Sequence, residues 1–318
     1  MELHLTPVIA ERLSNSKYRI VVTGAGGWLG LATLEMLRNA LKSDFGGRVV
    51  CFGSAARVLT LRGWTVDQFP LEALADLPSS PTLVLHLAFL TKDRAEAMTA
   101  EDYRTANKAV RRRVLDALEP IGAQGFFLPS SGAAREAENP DAPAAMKLYG
   151  ALKREDEDAF GEWAERRLRA CAIARVFNVS GPYINKHGNY ALASFIADAL
   201  AGRPVKVRAT HPVVRSYVAI RELMSIVFAH LLDEHSAIRR FDTAGGEMLE
   251  VRQIAQLAAE LLGSGVVEAP PIERDAPADI YVGEPAGYNA ARLFAGVESV
   301  LFKTQILETA AYMAAIQG

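Results

Sequence analysis

Residues 18–32 read YRIVVTGAGGWLGLA, and no other run constrains the chain as much. An apolar, β-branched stretch (Ile20, Val21, Val22) turns on Thr23-Gly24. A helical pattern then starts at Trp28 and runs through Leu31, Leu34 and Leu37. A strand, a glycine-rich turn and a helix in that order present bare backbone N–H groups to a pyrophosphate. Gly24 lets the chain turn sharply, Gly27 lets phosphate oxygens approach, and Gly30 lets the helix pack closely on the strand. The spacing of 24, 27 and 30 is G-x-x-G-x-x-G. Gly24 and Gly26 can open a G-x-G-x-x-G run, but Leu29 stands where its last glycine belongs. On this run alone, a glycine-rich turn in another kind of parallel sheet stays open.

The rest of the chain narrows the choice. Residues 1–17 read as a short extension with one helical turn. Strands are expected at 18–23, 48–53, 64–67, 82–88, 125–128 and 171–177, and helices at 28–41, 100–118 and 144–169. The run TLVLHLA at 82–88 is almost continuously apolar, as befits a strand buried on both faces. This alternation predicts an α/β fold, a Rossmann-type doubly wound parallel sheet with helices on both faces. After Gly181-Pro182 the pattern loosens. Helices are expected at 190–201, 223–232, 251–262 and 304–316, extended segments at 204–207, 216–220 and 240–243, and a proline-rich loop at 269–277. The expected organisation is a dinucleotide-binding domain over 1–180, joined by about 215–247, and a smaller, interleaved substrate-binding region from 181–214 and 248–318.

Bulk properties exclude several classes. The chain has 318 residues, half of them hydrophobic, enough to bury a large core. A formal net charge of −2 and a pI near 6.3 argue against a general nucleic-acid or membrane-surface binder. Cys51 and Cys171 lie in apolar strand-like runs and read as buried, reduced thiols. No CxxC or HExxH spacing occurs, so no metal site is expected. The N-terminus lacks a charged-then-apolar signal pattern, and residues 83–90, broken by His86, are too short to span a bilayer. A soluble cytoplasmic protein is the expectation.

Tyr149 and Lys153 stand four apart and share a helical face. A phenol titrates near pH ~10, and a neighbouring ammonium favours its phenolate. Lys153 can therefore make Tyr149 a usable proton acceptor and donor. Ser131 falls at a strand's C-terminal end, where ligands sit in such sheets, and its hydroxyl can hold a reacting alcohol or carbonyl oxygen. His86 reads as a satisfied structural histidine.

The opening TGAGGWLG, His86-Leu87-Ala88, Pro129-Ser130-Ser131-Gly132, Tyr149-Gly150-Ala151-Leu152-Lys153, residues 175–182 (RVFNVSGP), Arg215-Ser216-Tyr217-Val218 and residues 241–246 (FDTAGG) recur in one order. Together they resemble the extended short-chain dehydrogenase/reductase family, of the NAD-dependent epimerase/dehydratase type that modifies nucleotide sugars. The resemblance runs from about residue 18 to near the C-terminus. It implies a Ser-Tyr-Lys mechanism with Ser131, Tyr149 and Lys153 as catalytic residues. Of the two serines it favours Ser131, four residues before a position often held by Tyr and here by Arg135.

The resemblance also implies that Gly24, Gly27, Trp28, Leu29, Gly30, Ala88, Tyr149 and Lys153 contact the cofactor. Asn107 would brace the cofactor or a strand end, or be a plain helical polar residue. Asn178 would meet the substrate's phosphate or sugar, or form a turn. Arg215 would grip a nucleotide diphosphate, as suits a planar guanidinium, or be a solvated strand-edge arginine. Lys186, His187, Lys206 and Arg208 are further polar residues of that region.

Several positions depart from the family pattern. No acidic residue ends the second strand, where one would accept hydrogen bonds from the adenosine ribose of NAD. Ser54 and Arg57 suit a 2′-phosphate, so the cofactor is NADP or NAD with a lean to NADP. Asp67 fits the aspartate near the adenine, or a solvated turn, and Gln68 takes the neighbouring apolar place. Gly132-Ala133 stand where the family's dehydratases carry Asp-Glu, which disfavours dehydration. Ile220-Arg221-Glu222 replace a frequent Val-Asp-Asp.

The expected function is an NAD(P)-dependent oxidoreductase or epimerase acting at a secondary alcohol or keto carbon of a nucleotide sugar. A reductase of a small non-nucleotide ketone or alcohol is the second reading, and a non-catalytic NAD(P)-binding regulator the third. The expected partner is a small molecule, with no nucleic acid and no membrane. The resemblance implies a homodimer.

Overall fold

The computed structural model describes residues 2–91, 97–140, 142–233, 235 and 237–317. The chain divides into two compact units. One comprises His4–Val176 and Met224–Phe241, the other Met1–Leu3, Phe177–Leu223 and Asp242–Gly318.

The first unit is built on an eight-stranded sheet of order β12-β7-β6-β5-β1-β2-β4-β3. Its strands are β1 (Arg19–Thr23), β2 (Val49–Gly53), β3 (Arg57–Leu61), β4 (Trp64–Pro70), β5 (Thr82–His86), β6 (Ala123–Ser131), β7 (Ala170–Val176) and β12 (Ile238–Asp242). From β7 through β4 all neighbours are parallel. The strand order reverses beside β1, which pairs with β2 on one side and β5 on the other. Such a reversal opens a crevice at the strands' C-terminal ends, where ligands of open α/β sheets bind. The sheet is the expected mostly parallel Rossmann-like one.

The helices of this unit are α1 (Pro7–Asn15), α2 (Trp28–Leu41), a short α3 (Phe45–Arg48), α4 (Ala100–Leu118) and α5 (Ala144–Arg167). Thr99 starts α4 by accepting the Asp102 N–H at 3.1 Å, the usual way an orphan first-turn donor is met. The last turn of α5 carries the basic residues Arg166 and Arg167, and a left-handed Leu168 follows it.

Three elements differ from expectation. The N-terminal extension holds a nine-residue helix rather than one turn. The short strand at 64–67 is half of an antiparallel hairpin, β3–β4, joined through Arg62-Gly63, both with positive φ. A two-residue turn of that hand matches the twist of the flanking strands. Arg57 consequently begins a strand. β6 runs on to Ser131 because it pairs with β7 from Gly125↔Ala170 to Ser131↔Val176.

The core of this unit fills both sides of the sheet. Ile20, Val21, Val22, Val84, Phe126 and Cys171 are fully buried. Cys51 and Cys171 are free thiols, pushed up to about 12 by burial. Phe126 and Phe160 stack at 4.3 Å, with Trp163 at 6.3 Å from Phe126.

The other unit carries small sheets. One has the order β13-β10-β15, from β13 (Met248–Glu250), β10 (Val213–Ser216) and β15 (Asp279–Tyr281). β8 (Val179–Ser180) pairs with β11 (Val218–Ala219), and β9 (Val205–Lys206) with β14 (Val267–Glu268). α6 (Ala191–Leu200), α8 (Val251–Leu262), α9 (Pro285–Ala295) and α10 (Phe302–Gln317) belong to this unit, and α7 (Ile220–Leu231) starts in it. The short strands β13 to β15 and helix α9 have no counterpart in the expected elements. Two- and three-residue strands leave too little alternation to read. No helix among the described residues is long and apolar enough to cross a membrane.

His86 closes β5 against the ring cluster, 5.2 Å from Phe160 and 5.9 Å from Phe126. Its Nδ1 meets Thr23 Oγ1 at 2.7 Å. Burial, and then the nearby Lys153 ammonium, push its pKa down to about 3. The native state therefore refuses a proton that the unfolded chain accepts below pH 6.5, so stability falls as pH drops from 6.5 towards 3. His86→Gln removes this component. Urea titrations should show a variant whose stability depends less steeply on pH in that window, by roughly 1–3 kcal/mol at pH 4.

Candidate active site

The glycine turn sits at the C-terminal end of β1. Gly24 has φ +67°, and a Cβ there would lie 2.6 Å from the Ala88 nitrogen and the Leu87 carbonyl carbon. Only glycine permits this conformation and this approach together. Ala88 is thus pressed onto the turn, its N–H 3.4 Å from Thr23 Oγ1. A Cβ on Gly30 would lie 2.4 Å from Ala25 O, so α2 starts tight against the turn. Gly27 is the N-cap of α2, and no side chain caps the helix there. Trp28 is buried and Leu29 half-buried in its first turn. An exposed glycine before an uncapped helix start is a cradle that a Cβ would fill, and it fits a pyrophosphate.

Gly26 has a separate reason to be bare. A Cβ there would lie 1.8 Å from Arg57 Nη2 and 2.9 Å from its Cζ. The Arg57 guanidinium therefore lies against the glycine turn, with Ser54 exposed just after β2. Gln68 is 3% exposed, lies over Gly53 and donates from Nε2 to Ala55 O at 2.8 Å, bracing the segment that leaves β2. Asp67 is exposed on β4 opposite Val58. Asn107 is buried on α4. Its Oδ1 accepts the Leu90 N–H at 2.9 Å and its Nδ2 donates to Tyr103 O at 3.1 Å. The Tyr103 hydroxyl donates to Leu90 O at 2.5 Å. Asn107 thus braces the segment that leaves β5.

Residues 149–154 of α5 lie along the end of β6. Lys153 Nζ donates to Pro129 O at 3.0 Å. A Cβ on Gly150 would lie 2.0 Å from Ala133 O. Arg154 Nη2 donates to Ala134 O at 2.9 Å. Ser131 stands between these contacts, 9% exposed. It caps the 3-10 turn Gly132–Glu138 and its Oγ accepts the Ala133 N–H at 3.2 Å. That bond uses a lone pair and leaves the hydroxyl hydrogen to donate. Ser130 faces the other way and donates to Glu157 Oε1.

Tyr149 is half-buried, its ring edge-on to Phe89 at 5.6 Å. Phe89 also lies 3.8 Å from Lys153 Nζ, a cation–π contact. Lys153 is 5% exposed, and burial lowers its pKa to about 8 against the opposing pull of Asp156 and Glu157.

Gly150, Gly26, Phe89 and Glu157 were not among the residues expected here. A glycine inside a helix, costing ~1 kcal/mol against alanine, was the available signal for Gly150. Glu157, four residues after Lys153, reads from spacing alone as an ordinary helical ion pair. Phe89 gives no signal beyond an apolar residue after a strand.

Asn178 and Arg215 lie in the other unit. Asn178 Nδ2 donates to the backbone oxygens of Ser216 and Tyr281, both at 3.2 Å. Arg215 donates from Nη1 to Val214 O at 2.9 Å and Asp279 O at 3.0 Å, and from Nη2 to Asp279 Oδ2 at 2.7 Å. Glu222, in place of an aspartate, is buried and accepts from the Tyr288 hydroxyl at 2.6 Å and the Val300 N–H at 2.8 Å. Arg221 pairs with Glu308 at 3.0 Å.

Comparison with known proteins accords with this geometry. The UDP-N-acetylglucosamine 4-epimerase from Methanobrevibacter ruminantium M1, in complex with UDP-N-acetylmuramic acid, is similar in fold, with a TM-score of 0.72 at 17% identity, covering 94% of this chain and 99% of that one. The UDP-glucose 4-epimerase from Thermotoga maritima, with UDP-glucose, gives 0.70 at 20% identity, covering 94% and 100%. MoeE5 in complex with UDP-glucose and NAD gives 0.69 at 19% identity, covering 94% and 100%. No curated protein matches by sequence. The model of the NAD dependent epimerase/dehydratase family matches residues 20–240, more than half of the chain. With its glycine turn at the sheet's reversal and its Tyr-Lys helix on the end of β6, the chain belongs to the NAD dependent epimerase/dehydratase family.

Proposed function

We propose that the protein is an NAD(P)-dependent oxidoreductase or epimerase acting at a secondary alcohol or keto carbon of a nucleotide sugar. One observation carries this reading. α5 holds Tyr149 and a buried Lys153 against the strand end that bears Ser131.

When bound, the nicotinamide takes up or returns a hydride. This chain's residues manage the oxygen and its proton. Ser131 donates its hydroxyl hydrogen to the reacting oxygen, because its lone pair is already turned to Ala133. Tyr149 accepts the hydroxyl proton in the oxidation direction and returns it in reduction. The Lys153 ammonium favours the phenolate of Tyr149 and would hold the nicotinamide ribose when the cofactor is bound. Release of the ketone makes a dehydrogenase or, in reverse, a reductase. Return of the same ketone with its other face presented makes an epimerase. Elimination of water is disfavoured because Gly132 and Ala133, which follow Ser131, carry no acid or base.

The cofactor is proposed to be NADP in preference to NAD. Arg57 against Gly26 and the exposed Ser54 offer a cation and a hydroxyl where no acidic residue ends β2. Asn178 and Arg215 are proposed to serve the nucleotide part of the substrate. One observation favours a second reading, a small ketone or alcohol without a nucleotide. The Arg215 guanidinium is already compensated by Asp279.

Tyr149→Phe should lower turnover by about 10²–10⁴-fold while cofactor affinity, measured by calorimetry, stays near the wild-type value. Unchanged turnover would remove the assignment. Arg57→Ala should weaken NADP binding by about 10–100-fold, the loss of a charge-assisted contact, and leave NAD binding nearly unaltered. Arg215→Ala should raise the KM for a nucleotide sugar by about tenfold or more; an unaltered KM selects the second reading.

A further inference from the structure

Beneath Lys153 lies a layer of buried charge that the reaction proposed above does not use. Asp156 and Glu157 follow it on α5 by three and four residues, 3% and 2% exposed. Asp156 accepts Arg111 Nη1 at 3.1 Å, and Arg111 also meets the half-exposed Glu155 at 3.1 Å. Glu157 gathers donors from two strands. Ser130 of β6 donates its hydroxyl to Oε1. Arg175 of β7 donates from Nε to both oxygens, at 2.9 and 3.1 Å, and from Nη2 to Oε2 at 2.6 Å. A carboxylate so deeply buried is tolerated only when paired and hydrogen-bonded, and every donor here comes from the sheet end.

Lys153 is held differently. Its described contacts are a carbonyl oxygen and an aromatic face, neither of which carries a full negative charge. Asp156 and Glu157 are the anions that favour its charged form, and His86 on β5 faces it as a neutral ring. Arg111 of α4 and Arg175 of β7 reach this cluster through the same two carboxylates. Loss of either anion would leave cations facing one another in a medium that screens them poorly.

We propose that Glu157 is a positioning residue for the Ser131, Tyr149 and Lys153 group: its carboxylate tethers the strand end that carries Ser131, and its charge balances the buried Lys153 ammonium. Its consequence for catalysis rests on the Ser-Tyr-Lys reading above, but the balancing of charge is measurable without turnover. Three exchanges separate the two duties. Glu157→Gln keeps the shape and an acceptor for Ser130 but removes the charge. Glu157→Asp keeps the charge and shortens the tether. Ser130→Ala removes the tether alone.

The full chain, labelled with ¹³C at lysine Cε, is titrated by NMR from neutral to alkaline pH, with the Lys153 signal assigned from Lys153→Arg. The wild-type midpoint is expected near 8, below the ordinary lysine value because of burial. Glu157→Gln should lower it by about one unit, whereas Glu157→Asp and Ser130→Ala leave it in place. With UDP-glucose as probe and NADP or NAD as cofactor, Ser130→Ala and Glu157→Asp should lower kcat about tenfold at unaltered cofactor KM. Glu157→Gln, which also strips Arg175 of its ion pair, should lower kcat and in addition lose activity at lower alkaline pH than the wild type. A Lys153 midpoint unmoved by Glu157→Gln, or a Ser130→Ala variant with wild-type kcat, overturns the proposal. If Glu157→Gln does not fold, Ser130→Ala, which removes one oxygen, still decides the tether. If the wild type does not turn over UDP-glucose, the substrate reading fails for that probe and the lysine titration still decides the charge.

Discussion

The site depends on how closely one helix is seated on the end of one strand. Lys153 reaches the Pro129 carbonyl, Gly150 abuts Ala133 and Arg154 reaches Ala134. These contacts fall on both sides of Ser131. A side chain at 150 would force the helix and the strand end apart, because Ala133 O stands where its Cβ would be. The glycine costs helix stability, ~1 kcal/mol against alanine, and what it permits is a backbone approach that no other residue allows. The positions of the hydroxyl, the phenol and the ammonium all follow from that seat.

The electrostatics follow from the same packing. An ammonium as buried as Lys153 would shed its proton unless anions lay near. The next turn of α5 supplies two, and the neighbouring elements α4 and β7 supply the arginines that pair them. With the half-exposed Glu155 that also meets Arg111, three carboxylates balance Lys153 and the two arginines, which is what makes the burial tolerable. On the other side of Lys153, burial and the ammonium keep His86 uncharged. The histidine can then pack among Phe126 and Phe160 while bonding Thr23, so the sheet's ring cluster and the reactive helix share one boundary.

Much of the framework was legible residue by residue. The run at 18–32 announced a strand, a turn and a helix, and β1 and α2 lie there. The apolar run at 82–88 announced a doubly buried strand, and β5 is buried throughout. The β3–β4 hairpin was only half legible, because exposed Arg57, Val58 and Thr60 alternate with buried Leu59 and Leu61 over too few residues to stand out. In the smaller unit, strands of two and three residues carry no periodicity, and their pairing is fixed by partners distant in sequence.

The sequence by itself determined the types of chemistry present. Local order decides that a glycine turn precedes a helix, and helical spacing decides that Tyr149 and Lys153 share a face, because both are properties of neighbours along the chain. Only the tertiary structure decided that Ser130 bonds Glu157 and that Arg57 lies on Gly26. It alone decided that Asn178 and Arg215 spend donors within their own unit. Each of these outcomes is a contact between residues far apart in sequence, set by which strand pairs with which and how deeply a helix sinks on the sheet. No pattern of near neighbours encodes such a distance.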